Sequence, residues 1–497
     1  MYWANFLHLY QPADQQPDIL EAVVKQSYEK LIQGIVDNPH IKITLNINGS
    51  LLELFDKYGY HSLIDNLRLA AKNGSLEFTG SAKYHAFLPL VSDNEIHRQI
   101  EINNETASYF LGDAYAPKGF FPPEMGYDPK LIPILEDFGF NWVILDEIAH
   151  SGGSEPVDYS KTYKIKDSNL NVYFRDRRIS NLIMSAVVRT PGSLKEALKG
   201  DLEQNRYAVT GMDGETFGHH RPDLENLLFK IFNDTSFKFI KISEIPQYFS
   251  EVIDVEPVAS TWASSKEDIE KGIQFLSWYD PSNDIHKWQW ELLNIVLNEV
   301  YQVGKSSNIY DTVRHSMDKA VASDHFWWAS AKPWWSVEMI EDGAHQLLET
   351  IKLVPNADSE KVGQAYNLYQ NIVSTAFNWQ RTGKIRQMAK SQSEMLRIPF
   401  KDRTIGAGGA EEGVYYAFME MMKKLEKKAA ETGEYEKAVL WRDAIYKLEN
   451  KLDIYDMINA IDLLRIEIPF EEVERTIEKY KEAYHKMRGG QPEQRGA

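Results

Sequence analysis

Two stretches of the chain hold a carboxylate where the backbone is constrained. In Phe121-Pro-Pro-Glu-Met-Gly-Tyr127, two prolines preset the chain immediately before Glu124, and small Gly126 follows it. In Gly211-Met-Asp-Gly-Glu-Thr-Phe-Gly-His-His220, Asp213 ends an apolar run, and Gly214 and Gly218 let the backbone approach a ligand closely. Two carboxyl groups carried by different strands can face each other across one bond. At roughly 5–5.5 Å apart they would run a retaining glycosidase mechanism, one as nucleophile and the other as acid and then base.

Other polar side chains directly follow apolar runs: His8, Asn46, Glu77, Asp146, Arg175 with Asp176. Taken singly, an acid in such a place reads as a helix N-cap or a solvated loop residue. Taken together they suit a pocket for a polyhydroxyl ligand, because each sugar hydroxyl needs a donor and an acceptor. His85 and the pair His219-His220 raise the question of a metal. Adjacent histidines are poorly placed for one ion and no His-x-x-x-His pair stands at a strand end, so hydrogen bonding is their expected role and no metal ligand is assigned. No Gly-x-Gly-x-x-Gly or Gly-x-x-x-x-Gly-Lys-[Ser/Thr] follows any strand, and no cofactor is expected.

These residues need elements to hold them. Strands are expected at Trp3–Leu9, Ile41–Ile47, Leu76–Thr79, Gly119–Phe121, Trp142–Leu145, Val172–Phe174, Tyr207–Thr210 and Phe237–Ile242, alternating with amphipathic helices such as Ile19–Val36, Leu51–Leu69 and Glu95–Phe110. Asp158–Asp176 reads as an irregular excursion. Alternation of this kind predicts an α/β fold with parallel strands, and seven or eight units favour a closed, distorted TIM-like (β/α)7 barrel over residues 1–265. From Asp268 on, helical spacing takes over at Trp288–Val303, Tyr310–Ser323, Met339–Lys352 and Lys361–Trp379, so an α-helical domain over 266–403 is expected to complete the cleft. Residues 404–497 read as a C-terminal helical region, with a hinge at Thr404–Gly413, a helical hairpin over about 415–451 and a disordered tail.

The 497 residues carry 55 Lys and Arg against 73 Asp and Glu, a net charge of −18, and no cysteine. The acidity disfavours nucleic acid and anionic membrane surfaces as partners, and the missing cysteines exclude disulfides and thiolate chemistry. With no basic, apolar leader and no 18-residue apolar stretch, a soluble cytoplasmic protein is expected. Eight of the 12 tryptophans fall between Trp262 and Trp335. Trp328, Trp334 and Trp335 read equally as helix packing or as rings on which sugars stack.

Over about the first 340 residues the sequence resembles glycoside hydrolase family 57, whose five ordered motifs can be matched to His8-Leu-Tyr-Gln-Pro12, Gly74-Ser-Leu-Glu-Phe-Thr-Gly80 with Tyr84-His85 and Leu88-Pro89-Leu90, Gly119-Phe-Phe-Pro-Pro-Glu-Met-Gly-Tyr127, Met212-Asp-Gly-Glu-Thr-Phe-Gly218 and Ser323-Asp-His-Phe-Trp-Trp328. The resemblance implies a (β/α)7 barrel followed by a helical domain. It implies Glu124 as nucleophile and Asp213 as general acid/base, with Asp324 and Trp327 contributing to the subsites. His8, Tyr10, Glu77, His85 and Arg175 complete the expected substrate-binding set. Tyr10 departs from the family pattern, which has a second histidine there, at the bottom of the site. The implied activity is a retaining glycoside hydrolase or 4-α-glucanotransferase on α-glucans, without cofactor. The rival reading is a non-catalytic glucan-binding scaffold protein. Met421–Glu449, with Glu434-Tyr-Glu-Lys-Ala-Val-Leu-Trp-Arg-Asp-Ala-Ile-Tyr-Lys-Leu-Glu449, is similar to a UVR-type hairpin, which implies self-association or docking on a protein partner. Packing of Ala438, Ile445 and Leu448 on the preceding helix is the alternative.

Overall fold

A computed structural model describes residues 1–184, 188, 190–332, 334–390 and 414–450, with short pieces between 463 and 480. Its strands are β1 (Tyr2–Leu9), β2 (Ile43–Ile47), β3 (Leu76–Gly80), β4 (Gly119–Phe120), β5 (Trp142–Asp146), β6 (Thr162–Ile165), β7 (Asn171–Arg175), β8 (Tyr207–Asp213), β9 (Lys238–Ile240) and β10 (Val252–Val255). Strands β1, β2, β3, β4, β5 and β7 run parallel in that order, and β8 pairs with the far side of β1. The amide of Asp176, just past β7, donates to the carbonyl of Val209 in β8 at 2.7 Å, which brings the two ends of the sheet together. The result is a distorted barrel of seven parallel strands.

The alternation of side chains along each strand explains why every strand is apolar yet delivers polar groups. In β1, Trp3, Leu7 and Leu9 face the surrounding helices, whereas Ala4 and Phe6 face the other core. Ile43, Leu45 and Ile47 of β2 and Leu76 and Phe78 of β3 likewise face the helices, leaving Thr44, Asn46, Glu77 and Thr79 on the opposite face.

The excursion expected at Asp158–Asp176 is ordered: β6 pairs antiparallel with β7, and β10 extends the same sheet beside β6. Four-residue strands with polar positions such as Lys164 and Asp254 carry too weak a period to be read. Two expected helices are interrupted. Gly59 at φ 80° breaks the first of them between Gly49–Lys57 and His61–Lys72, and a π-turn at Val24–Tyr28 separates Pro17–Val23 from Glu29–Asp37.

Helices Asp284–Tyr301, Tyr310–Ala320, Val337–Leu353 and Ser359–Thr382 follow, and their apolar faces join the barrel residues in one contiguous core. A buried ionic network fastens them to the barrel. From the barrel helix Asp93–Leu111, Arg98 Nε donates to Asp318 Oδ1 at 2.6 Å and Glu95 accepts from Arg314 at 3.0 Å, while Arg314 also reaches Asp318 at 2.8 Å. Helices Val414–Glu431 and Tyr435–Asn450 form the expected hairpin, turning at Gly433 with φ 78° and packing Met421, Met422, Trp441 and Leu448 in a separate cluster. The hinge expected at 404–413 and the C-terminal tail lie outside the described residues. Among the described residues no helix is long and apolar enough to cross a membrane.

Arg314 is almost fully buried between two carboxylates. Arg314→Met strands those charges, and breaking a buried pair costs about 3–5 kcal/mol. Urea unfolding of the variant is expected to show a loss of that order; a loss below about 1 kcal/mol would mean that the network contributes little beyond packing.

Candidate active site

The site is assembled from the ends of the barrel strands. In the sheet register His8 lies directly beside Asn46 on one side and Asp213 on the other. Glu124 enters from the single 3-10 turn Pro123–Met125, where Glu124 and Met125 take left-handed φ values of 62° and 49°. His85, opposite, has φ 56°. Non-glycine residues held in that region cost about 1–3 kcal/mol each, which the surrounding structure must supply.

A chain of hydrogen bonds fixes the protons of the histidine pair. Asn46 Nδ2 donates to Thr79 Oγ1 at 3.3 Å, so its carbonyl faces His8 and accepts from Nδ1–H at 2.8 Å. His8 Nε2 is then an acceptor, and His85 Nε2–H donates to it at 3.1 Å. That leaves His85 Nδ1 to accept the Ser323 hydroxyl proton at 3.0 Å. Burial agrees with two neutral rings: it lowers His8 to about 4 and carries His85 well below its ordinary value, with His8 adding to the latter shift. Tyr10 stacks on His85 with ring centroids 4.2 Å apart and 14° between planes, and its hydroxyl donates to Asp324 Oδ2 at 2.7 Å. Thus one end of the barrel is latched to the helical region.

Glu124 is held from another direction. The Trp262 indole N–H donates to Glu124 Oε2 at 2.7 Å, and the Trp262 amide donates to the Glu124 carbonyl at 3.2 Å. Trp262 had no role in the sequence reading; only its place at the start of the tryptophan-rich stretch pointed to it. His85 Nδ1 stands 4.0 Å from Glu124 Oε1. The Glu124 side chain keeps 19% of its exposure, so it remains reachable while His8 and His85 are closed off.

Burial raises four carboxyl groups. Glu124 goes to about 8, by burial first and then by the charge of Asp213, with the Trp262 hydrogen bond opposing. Asp213 goes to about 6 by burial, with Arg175 opposing. Asp324 goes to about 6 by burial, against its bond from Tyr10. Glu215, unassigned in the sequence although it lies two residues beyond Asp213, goes to about 8 by burial and the Asp213 charge, and it accepts from Gln11 Nε2 at 3.1 Å and from the Tyr28 hydroxyl. Asp213 thus raises Glu124, while the cation Arg175 acts on Asp213.

Arg175 is buried, donating through Nη1 to Asp146 at 2.8 Å and through Nε to the Gly211 carbonyl at 2.7 Å. Glu77 stands apart from this group. It accepts from Thr44 Oγ1 at 2.6 Å and from the Ser243 amide at 3.1 Å, two residues before the position on β3 where Thr79 meets Asn46. Trp327 is half-buried and stacks on Trp334 with centroids 4.6 Å apart. His219 Nδ1 lies 2.7 Å from Gln26 Oε1. Among the described residues, no three His, Cys, Asp or Glu side chains are gathered as a metal site.

The sequence model described as glycosyl hydrolase family 57 matches residues 5–256. An α-amylase 1 of Dictyoglomus thermophilum is 24% identical over 222 residues, covering 44% of this chain and 32% of that protein. A 4-α-glucanotransferase of Thermococcus litoralis is 26% identical over 215 residues, covering 43% and 32%. The match thus spans about a third of the length of these curated relatives. Among solved structures, a branching enzyme of Pyrococcus horikoshii superposes with a TM-score of 0.58 at 14% identity, over 76% of this chain and 96% of that one. An exo-type maltose-forming amylase of a Pyrococcus species gives 0.54 at 12% identity over 95% of both chains.

The raised Glu124 has a consequence for stability. Its folded value of about 8 lies above that of an unfolded glutamate, about 4.3, so its penalty is absent at low pH and grows as pH rises through that window. Glu124→Gln removes the ionisable group. Thermal melts are expected to show the variant gaining on the parent protein between about pH 5 and about pH 8; a constant or shrinking difference would contradict the burial of this carboxyl.

Proposed function

Because the chain belongs to glycosyl hydrolase family 57, we propose that it is a retaining enzyme acting on α-glucans, by hydrolysis or by 4-α-glucanotransfer, with Glu124 and Asp213 as its two catalytic carboxyls. The observation that carries this reading is the pair itself. Two partly accessible acids, one at the end of β8 and one on the strained turn after β4, are buried closely enough that the charge of Asp213 is felt at Glu124.

In the first step Glu124, as the anion, attacks the anomeric carbon while Asp213 gives its proton to the departing glycosidic oxygen; the old C–O bond breaks as the ester bond to Glu124 forms. In the second, Asp213 as carboxylate takes a proton from water or from a sugar hydroxyl, whose oxygen displaces Glu124 from the anomeric carbon. Burial raises both carboxyls in the free protein, so substrate binding must shift the pair toward ionised Glu124 and protonated Asp213. The Trp262 N–H on Glu124 favours that shift, and so does a glycosidic oxygen able to accept from Asp213. Asp324 and Tyr10 supply an acceptor and a donor for sugar hydroxyls, the buried neutral His8–His85 pair supports the Tyr10 ring by stacking, and Trp327 offers a ring face.

Incubation with maltoheptaose followed by chromatography tests the reading. Shorter products alone mean hydrolysis, longer and shorter products together mean transfer, and unchanged substrate with retained binding would replace the proposal with a binding protein. Glu124→Gln is expected to lose several orders of magnitude of turnover. Asp213→Asn should still glycosylate from an activated aryl α-glucoside and stall afterwards. Azide, which needs no base, should restore its turnover and give the α-glycosyl azide; an α-azide from the Glu124 variant instead would reverse the two roles.

A further inference from the structure

Asp146 was one of the acids at the strand ends, and the reaction proposed above leaves it unused. Its side chain is fully buried and holds two guanidinium groups, one on each oxygen. Oδ2 pairs with Arg175 at 2.8 Å and Oδ1 with Arg177 at 2.7 Å. Arg177, the first residue of the helix Arg177–Met184, does more than balance this charge. Its Nη1 donates to the Ser264 carbonyl at 3.0 Å and its Nη2 to the Trp262 carbonyl at 3.1 Å. It therefore grips the loop backbone at Trp262 itself and again two residues later. The same loop is stitched to the Glu124 turn by backbone bonds between Tyr127 and Ser260, at 2.8 and 3.1 Å, and by the Trp262 amide on the Glu124 carbonyl.

The groups facing the Glu124 carboxylate make the loop's position matter. His85 presents Nδ1, already committed to the Ser323 hydroxyl, at 4.0 Å; Asp213 and Asp324 contribute negative charge; and the Trp262 indole supplies a hydrogen bond at 2.7 Å. A guanidinium that holds two carbonyl groups of one loop, those of Trp262 and Ser264, by its planar fork fixes their direction, which a single point charge does not. We propose that Arg177 is a positioning residue: anchored on Asp146, it fixes the Ser260–Ser264 loop so that the Trp262 indole N–H stays on the Glu124 carboxylate. Arg177 acts through Trp262 and needs no contact with substrate. This rests on the reading of Glu124 as nucleophile only for its catalytic consequence.

The test reads Glu124 without turnover, by difference infrared titration of the carboxyl band that disappears in Glu124→Gln. Trp262→Phe keeps an aromatic ring and the backbone amide and removes the indole N–H; it is expected to move the Glu124 midpoint up by about one pH unit, the size of one lost hydrogen bond to a charged group. Arg177→Met is expected to move it in the same direction by a similar amount, and the double variant no further than Trp262→Phe alone. Should the methionine variant fail to fold, Arg177→Lys keeps the charge opposite Asp146 but cannot span both carbonyls, and it should give the same upward shift. An unmoved midpoint in the folded Arg177 variants, or shifts that add in the double variant, would overturn the proposal. If the shifts appear and the parent protein leaves maltoheptaose unchanged, the functional reading fails and the positioning role stands.

Discussion

Four carboxyl groups, Glu124, Asp213, Glu215 and Asp324, share the mouth of one barrel, and burial pushes each of them toward its neutral form. Burying charge without a partner is expensive, and three of these acids are met by a particular donor. Trp262 serves Glu124, Tyr10 serves Asp324, Gln11 and Tyr28 serve Glu215, and the field of Arg175 opposes the rise of Asp213. The donors for the first three are largely neutral groups, which temper the acids without fully neutralising them. Acids poised in this way can exchange a proton near neutral pH, the working condition of paired carboxyl chemistry.

Rigidity follows from the same constraint. The two residues that would react sit on a strand end and on a left-handed turn, and the turn is pinned by a loop some 138 residues further along the chain. Closure of the helical region on the barrel, through Arg314, Asp318 and Glu95, brings Ser323 and Asp324 to His85 and Tyr10. Tyr10 occupies the place of a family histidine, and its ring stacked on His85 with its hydroxyl on Asp324 makes it part of this closure.

What could be read from the sequence followed strong local signals. The strands bearing Trp3–Leu9 and Tyr207–Thr210 are long and apolar, and a proline pair before Glu124 marks a fixed turn, so the barrel and its central acids were legible. Glu77 shows where that reading stopped. It follows an apolar residue at the start of a short strand, but the pocket layer is reached two residues later, at Thr79, and register relative to neighbouring strands cannot be seen in one strand alone. Trp262 lies in a loop without period, joined to its partner only by the fold. The short β6 and β10 were hidden for a related reason: their stability comes from pairing with each other and with β7, not from an apolar run of their own.

The central claim is that a glucosyl group is carried covalently on Glu124. The most direct measurement is to treat Asp213→Asn with a slow fluorinated α-glucosyl fluoride, digest the protein and locate the adduct by mass spectrometry. The account predicts one fluoroglucosyl group on the peptide containing Phe121–Tyr127, on Glu124 itself. An adduct on another carboxylate, or sustained fluoride release with no adduct at any time, would contradict it.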